Sequence, residues 1–237
     1  KIVISGGSGR FGNCLKKVST KHELLFPSKN HFNILNVKSI YNYLKKKKAK
    51  VLIHLAGLSR PMKIHDIEIK KSIDLNIIGT ANVTKVCSDL NIKLIYFSTN
   101  YIYPGTKGNY SEKDPILPVN NYAWSKLGGE CSVQLYDNSL ILRVCMTEKP
   151  FVHKKAFANV KTSFMYHENV AQILFKILNK KGIINIGGKS QYIFDFAKKG
   201  NKKIKKKYLK KNQNLGIPFD SSMSLKEINK IIKKKIN

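Results

Sequence analysis

Arginine is nearly absent from this chain: of 44 basic residues only Arg10, Arg60 and Arg143 are arginine. Proteins that read nucleic acid use arginine for base edges and planar stacking, so the composition argues against such a partner despite a formal net charge of +30. Lysine is abundant together with Asn and Ile, and reads as a solvated surface whose field also draws in anionic ligands such as dinucleotides and sugar diphosphates. Cysteine is scarce, and Cys14, Cys87, Cys131 and Cys145 form no C-x-x-C pair. That excludes a zinc ribbon and a disulfide framework, no metal site is expected, and free thiols suit a reducing cytoplasm. No apolar run is long enough to cross a bilayer and no signal peptide precedes the first strand, so the expectation is a cytoplasmic chain without membrane insertion.

What the chain does have is alternation. Short apolar runs at Lys1–Ser5, Glu23–Phe26, Val51–Leu55, Lys93–Ser98 and Ser139–Val144 read as strands. Between them, the stretch to Val18, Val37–Lys47, Ile67–Asn91 and Asn121–Tyr136 read as helices. Beyond Val144 the spacing predicts a helix over Glu168–Leu178, a strand at Gly182–Ile186, a lysine-dense loop or frayed helix over Lys198–Lys211, and an amphipathic helix over Ser224–Ile236. This order implies an α/β fold: a Rossmann-type, doubly wound parallel sheet with a small C-terminal substrate lobe. We place a dinucleotide-binding domain at 1–146 and the small lobe at 147–237, with segments around 165–188 packing back on the first domain.

The turn after the first strand is Gly6-Gly7-Ser8-Gly9-Arg10-Phe11-Gly12, with Gly6, Gly9 and Gly12 in G-x-x-G-x-x-G spacing. Small residues there let the backbone turn tightly and approach a pyrophosphate at a helix start. An acidic residue closing the second strand would hold the ribose hydroxyls of NAD. None is present; the stretch is Phe26-Pro27-Ser28-Lys29-Asn30. Ser28 and Lys29, assisted by Arg10, instead suit a 2′-phosphate, which predicts NADP(H) over NAD(H), with Lys29 as a mere surface lysine the competing reading.

Tyr122-Ala123-Trp124-Ser125-Lys126 sets a phenol and an ammonium one helical turn apart on one face. The ammonium stabilises phenolate, which fits the phenol for proton transfer near neutral pH. The pair Ser98-Thr99 closes the fourth strand, where a hydroxyl could orient a carbonyl.

Taken together these residues resemble the extended short-chain dehydrogenase/reductase family, and within it the dTDP-4-dehydrorhamnose reductase group. Ala56-Gly57 resembles the family's cofactor-contacting turn, and Asp74-Leu75-Asn76-Ile77-Ile78-Gly79-Thr80 its helix motif, with Asn76 as the structural-catalytic asparagine. Phe97-Ser98-Thr99-Asn100-Tyr101-Ile102-Tyr103-Pro104-Gly105 resembles the hydroxyl motif, with Thr99 at the active position. Glu112, Asp114, Pro118, Leu142-Arg143, Asn185-Ile186-Gly187-Gly188 and Pro218-Phe219-Asp220-Ser221-Ser222 follow in family order. The resemblance implies hydride transfer to the 4-keto carbon of a nucleotide-linked sugar. Tyr122 would donate the proton, Lys126 would bind the nicotinamide ribose, and Thr99 would hold the carbonyl. It also implies a homodimer.

The chain is short between Arg143 and Glu168, where family members hold the substrate nucleotide. Phe151 or Phe157 could stack on a base there and Lys154 meet a diphosphate, with core packing the competing reading for the rings; Ser98 and Asn100 complete the expected substrate contacts. Tyr101 stands where an epimerising branch carries cysteine, which favours reduction alone, and Cys145 reads as a core thiol. His167 reads as a residue near a helix start. Two alternatives stand beside the reductase: an epimerase or dehydratase of the same family, and a catalytically silent, dinucleotide-binding regulatory subunit.

Overall fold

The computed structural model describes residues 1–210, 215–233 and 236. Its centre is a six-stranded sheet in the order β10-β5-β4-β3-β1-β2. These strands are β1 (Ile2–Ser5), β2 (Leu24–Leu25), β3 (Val51–His54), β4 (Lys93–Thr99), β5 (Ser139–Val144) and β10 (Gly182–Ile186). β1 pairs in parallel with both β2 and β3, and β3 with β4. A parallel sheet must be covered on both faces, which is why β1, β4 and β5 are buried along their whole length. The chain runs outward from β1 to β2 and then returns past β1 to β3, so the order reverses between β1 and β3. In open α/β sheets a ligand sits beyond the strand ends at such a reversal.

The covering helices are α1 (Arg10–Leu15), α2 (Val37–Lys47), α5 (Gly79–Asp89) and α6 (Asn121–Gln134). On one side Ile40 and Leu44 of α2 and Val83 and Val86 of α5 close over Val3, Leu52 and Leu94, all without exposure. Each such side chain contributes roughly 1.5–3 kcal/mol by leaving water. α2 starts where the Asn36 side chain accepts the Ser39 N–H at 3.0 Å and stops where Lys48 turns left-handed.

The long helix expected over 67–91 is broken. It consists of α3 (Ile64–Ile67), α4 (Ile69–Ser72), a π-helical segment (Ile73–Ile78) and then α5. Glu68, at φ −105° and ψ 61°, leaves helical geometry and separates α3 from α4. At the end of the π segment the Gly79 N–H reaches back five residues to the Asp74 carbonyl. The apolar content of a continuous helix survives in such a segment; only its phase shifts, by one residue.

The chain forms two compact units. The first is Lys1–Ser98, Asn121–Leu142 and Leu178–Ile183; the second is Thr99–Asn120, Arg143–Ile177 and Ile184–Asn237. They interleave along the chain, whereas the sequence reading placed one boundary between 146 and 147. Besides the ends of β4, β5 and β10, the described residues of the second unit form three two-stranded ladders. β6 (Met146–Thr147) pairs with β9 (Met165–Tyr166), and β8 (Lys161–Thr162) with β11 (Gln191–Tyr192). The third joins β7 (Lys155–Phe157) to β12 (Lys205–Lys207). Helices α7 (His167–Lys176), α8 (Ile193–Gly200) and α9 (Lys226–Ile232) complete it. The lysine-dense stretch is thus neither loop nor frayed helix throughout: it contains the end of α8 and all of β12, and its last residue, Lys211, lies outside the described residues. The closing helix is shorter than the expected Ser224–Ile236, and 234 and 235 likewise lie outside them.

Candidate active site

The reversal point is built by two backbones in contact. Gly6 has φ +70°, and a Cβ there would stand 2.6 Å from the Ala56 nitrogen, so the turns after β1 and β3 can meet only with glycine at this position. Gly9 donates its N–H to the Gly6 carbonyl at 2.9 Å and closes the turn. Ser8, Gly9 and Arg10 are exposed, which leaves the turn open to solvent. Phe11 is instead a core residue, its ring 5.1 Å from that of Phe97.

Beneath the turn runs a directional hydrogen-bond chain. The Ala56 N–H donates to Ser5 Oγ at 3.3 Å, and Ser5 Oγ lies 2.8 Å from His54 Nδ1. His54 Nε2 lies 3.2 Å from Thr80 Oγ1, which donates to the Asn76 carbonyl at 2.8 Å. A carbonyl only accepts, so Thr80 is the donor there and accepts from His54 Nε2–H; Ser5 then donates to Nδ1. Every member is satisfied only by a neutral imidazole in this tautomer. Burial, with the Lys126 ammonium adding to it, holds His54 down at about 3, consistent with that assignment.

Asn76 is the buried residue of the π segment. Its Oδ1 accepts the Leu58 N–H at 2.7 Å, and its Nδ2 donates to the Leu58 carbonyl at 2.9 Å and to Ser125 Oγ at 2.8 Å. Ser125 Oγ donates in turn to the Tyr122 carbonyl at 2.8 Å. One side chain therefore ties the segment after β3 to the turn of α6 that carries both Tyr122 and Lys126. α6 can come this close because of Gly129, where a Cβ would meet the Asn76 carbonyl oxygen at 2.5 Å. Lys126 Nζ lies 4.2 Å from the centre of the Tyr96 ring. Burial pulls its ammonium down to about 7, with the carboxylate of Glu130 opposing. The Tyr96 hydroxyl donates to the Lys126 carbonyl at 2.9 Å, and burial holds that phenol well above its usual range.

Of the residues expected from sequence, Gly6, Gly9, Arg10, Phe11, Gly12, Ser28, Lys29, Ala56, Gly57, Asn76, Ser98, Tyr122 and Lys126 fall in the first unit. Ser28 and Lys29 are exposed, with Ser28 Oγ 3.0 Å from His31 Nδ1. Lys29 also lines a surface cleft with Leu35, Asp74 and Leu75. Ser98 Oγ is buried without a hydrogen-bond partner. Thr99, Asn100, Phe151 and Lys154 belong to the second unit. Thr99 is the last residue of β4, its Oγ1 accepting the Tyr101 N–H at 3.3 Å. Asn100 is buried, and its Nδ2 donates to Thr162 Oγ1 at 3.2 Å and Ser221 Oγ at 2.9 Å. Phe151 and Phe157 both lie in the apolar core of that unit, and Lys154 is exposed. Cys145 is buried, 3.1 Å from Thr162 Oγ1, and His167 opens α7.

The motif residues Glu112, Arg143 and Asn185 prove to be partners in the second unit. Buried Arg143 donates to the Tyr103 hydroxyl at 3.0 Å, and that hydroxyl donates to Asn185 Oδ1 at 2.9 Å. Glu112 Oε1 accepts the Asn185 N–H at 2.9 Å. Sequence reasoning missed His54, Thr80, Ser125 and His65. Two of them carried a signal, Ser125 by its place within the Tyr122–Lys126 turn and Thr80 by closing the Asp74–Thr80 motif.

Three comparisons bear on this architecture. Methionine adenosyltransferase 2 subunit beta of Rattus norvegicus is 25% identical over 142 residues, covering 56% of this chain and 42% of that protein. The chain thus spans less than half the length of such curated relatives. A hypothetical dTDP-4-dehydrorhamnose reductase from Sulfolobus tokodaii superposes with TM-score 0.85 at 23% identity, over 100% of this chain and 96% of that one. The dTDP-4-dehydrorhamnose reductase of Bacillus anthracis, solved in complex with NADP, gives 0.84 at 20% identity, over 99% and 92%. At these identities the superpositions establish the Rossmann-like fold. Residues 1–181 match the model of the RmlD substrate binding domain, and by that match over most of its length the chain belongs to the RmlD substrate-binding-domain family.

Proposed function

We propose that this chain is an NADPH-dependent reductase acting on the 4-keto carbon of a nucleotide-linked 6-deoxy sugar, with Tyr122 as proton donor. The reading is carried by the tie from Asn76 through Ser125 to the Tyr122 carbonyl, which fixes the turn of α6 bearing the phenol and the ammonium. The residues present fit a dinucleotide. The Gly6–Gly12 turn presents open backbone at Ser8, Gly9 and Arg10 beyond the end of β1, and Ala56 of the turn after β3 lies against Gly6. Ser28, Lys29 and Arg10 would take a 2′-phosphate, with NAD(H) as the second candidate cofactor. NADPH, when bound, supplies the hydride. Tyr122 gives its proton to the developing sugar alkoxide, Lys126 favours the resulting phenolate and holds the nicotinamide ribose, and Thr99 donates to the carbonyl oxygen. Ser98, Asn100, Phe151 and Lys154 remain the proposed substrate contacts, and a homodimer the proposed assembly.

The test is NADPH oxidation with dTDP-4-dehydrorhamnose, the compound named for the two reductases above, with NADH run alongside. Tyr122→Phe should lower turnover by at least about 10²-fold while NADPH affinity is kept; full retained activity refutes the assignment. A relative named as a subunit of methionine adenosyltransferase supplies the second reading, a silent subunit of another enzyme. A stoichiometric partner with no NADPH oxidation would select it.

A further inference from the structure

His65 stands beside the phenol to which the proposed function gives the proton, and that function assigns it no role. It is 1% exposed, and its ring centre lies 5.2 Å from that of Tyr122 at 59°. The imidazole is fixed from behind: Nδ1 is 2.7 Å from Ser72 Oγ, the last residue of α4. Its short helix is tied to α6, because Asn121 Nδ2, on the residue before Tyr122, donates to Asp66 Oδ1 at 2.8 Å. Yet Nε2 is buried with no hydrogen-bond partner. A buried polar atom left unmatched is destabilising, because its lost hydration is not replaced. The bond to Ser72 accounts for Nδ1 and leaves the second buried nitrogen, Nε2, without a structural reason.

We infer that His65 is a positioning residue for the proton donor: with the Ser72 hydroxyl donating to Nδ1, the ring proton sits on Nε2 and is offered to the Tyr122 oxygen as that oxygen gives up its own proton. The inference rests on the reductase reading. In the step, the Tyr122 O–H bond breaks and the sugar O–H bond forms; the phenolate accepts the Nε2–H hydrogen bond, His65 keeps its proton, and solvent later restores the phenol. Asp66 on α3 and Lys126 on α6 act on His65 and Tyr96 on β4 acts on Tyr122, with Glu130 on α6 acting in turn on Lys126 and Tyr96. Burial, opposed by Asp66 and aided by Lys126, lowers the imidazole's pKa, so the ring is a neutral donor and not a competing acid.

The experiment follows the Tyr122 ring carbon by NMR across pH in the NADP-bound full chain, with Tyr122→Phe identifying the resonance. His65→Phe should raise the titration midpoint by about one pH unit, and His65→Gln, which retains an N–H donor, should restore most of it. Ser72→Ala, which frees the ring without removing it, should move the midpoint less and in the same direction, and serves if His65→Phe fails to fold. The basic limb of the kcat/KM profile should move with the midpoint while KM for NADPH stays level. An unchanged midpoint in His65→Phe, or in Ser72→Ala should that variant stand in for it, overturns the inference, as does a shift that glutamine leaves unrepaired. A moved midpoint in a chain that never reduces a 4-keto sugar would keep the His65–Tyr122 pairing and discard the reductase reading.

Discussion

Replacing Lys126 by methionine should stabilise the cofactor-free protein, by an amount that shrinks as pH rises. Burial brings this ammonium from the ordinary 10.5 to about 7. The unfolded chain holds the proton up to about pH 10.5, the folded chain only to about 7. Between those values unfolding takes up a proton, and wild-type stability climbs with pH; below about 7 the penalty is present in full. At 1.36 kcal/mol per unit the shift would be worth about 5 kcal/mol. The side chain is only half-buried and partly screened, so about 2 kcal/mol is the sounder figure. Losing the contact with the Tyr96 ring takes back about 0.5–1 kcal/mol. Methionine preserves the buried stem, so no cavity is added. The variant should therefore lead by about 1–2 kcal/mol at neutral pH, with the gap closing by about pH 9 to 10. Urea unfolding of both proteins without cofactor, at steps from about pH 6 to about pH 10, measures this directly. A Glu130→Gln background checks that the loss of the neighbouring cation does not dominate. Stability curves that run parallel across the window would refute the reasoning, whatever their offset.

His54 gives the complementary case at low pH. Its neutral ring is held at about 3, so as pH falls below about 6.5 the unfolded chain takes up a proton that the folded chain refuses. About 1–2 kcal/mol should be lost between about pH 6.5 and 5, and His54→Gln should flatten that slope in the same unfolding assay. Gly129→Ala sets two effects against each other: alanine favours the helix by about 1 kcal/mol, but its Cβ would stand 2.5 Å from the Asn76 oxygen and 2.7 Å from the Tyr96 hydroxyl. Displacing backbone should win, with a net loss of about 1–3 kcal/mol in Tm-based stability and a larger fractional loss of turnover than of NADPH affinity.

The parts of the fold legible in the sequence were those whose signal is local. β5 and β10 coincide with their apolar runs because β5 is buried along its whole length and β10 from Ile184 onward, and buried strands read as continuous hydrophobic stretches. The glycine turn was legible because Gly6 is required by its own backbone angle as well as by Ala56. The break at Glu68 was not, because neither glycine nor proline marks it and the π segment keeps the apolar content of a helix. β12 was invisible for another reason: Lys205, Lys206 and Lys207 are all exposed, and what makes them a strand is the register with Lys155, Ala156 and Phe157, far away in sequence. In the site, Tyr122 and Lys126 announce each other by spacing. His65 does not announce itself, since the ring that gives it meaning arrives only when α3 docks on α6.

Asn76 explains why the irregular helix is where it is. Two hydrogen-bond chains end on this one residue, one at its carbonyl, from Ala56 through Ser5, His54 and Thr80, and one at its amide, from Leu58 onward to Ser125 and Tyr122. A regular helix would turn the amide by a different angle toward Leu58. The π geometry aims the amide at both neighbouring segments, at the cost of poorer backbone bonding, while the Thr80 hydroxyl adds to the carbonyl the same kind of bond that Thr84 makes to Thr80 one turn on. The turn after β3, which lies against Gly6, and the turn of α6, which carries the phenol, are thereby referred to a single rigid point. A displacement of either one would break bonds that lead to Asn76, so the sheet-end turn and the phenol should keep their relative placement through thermal motion that moves exposed loops freely.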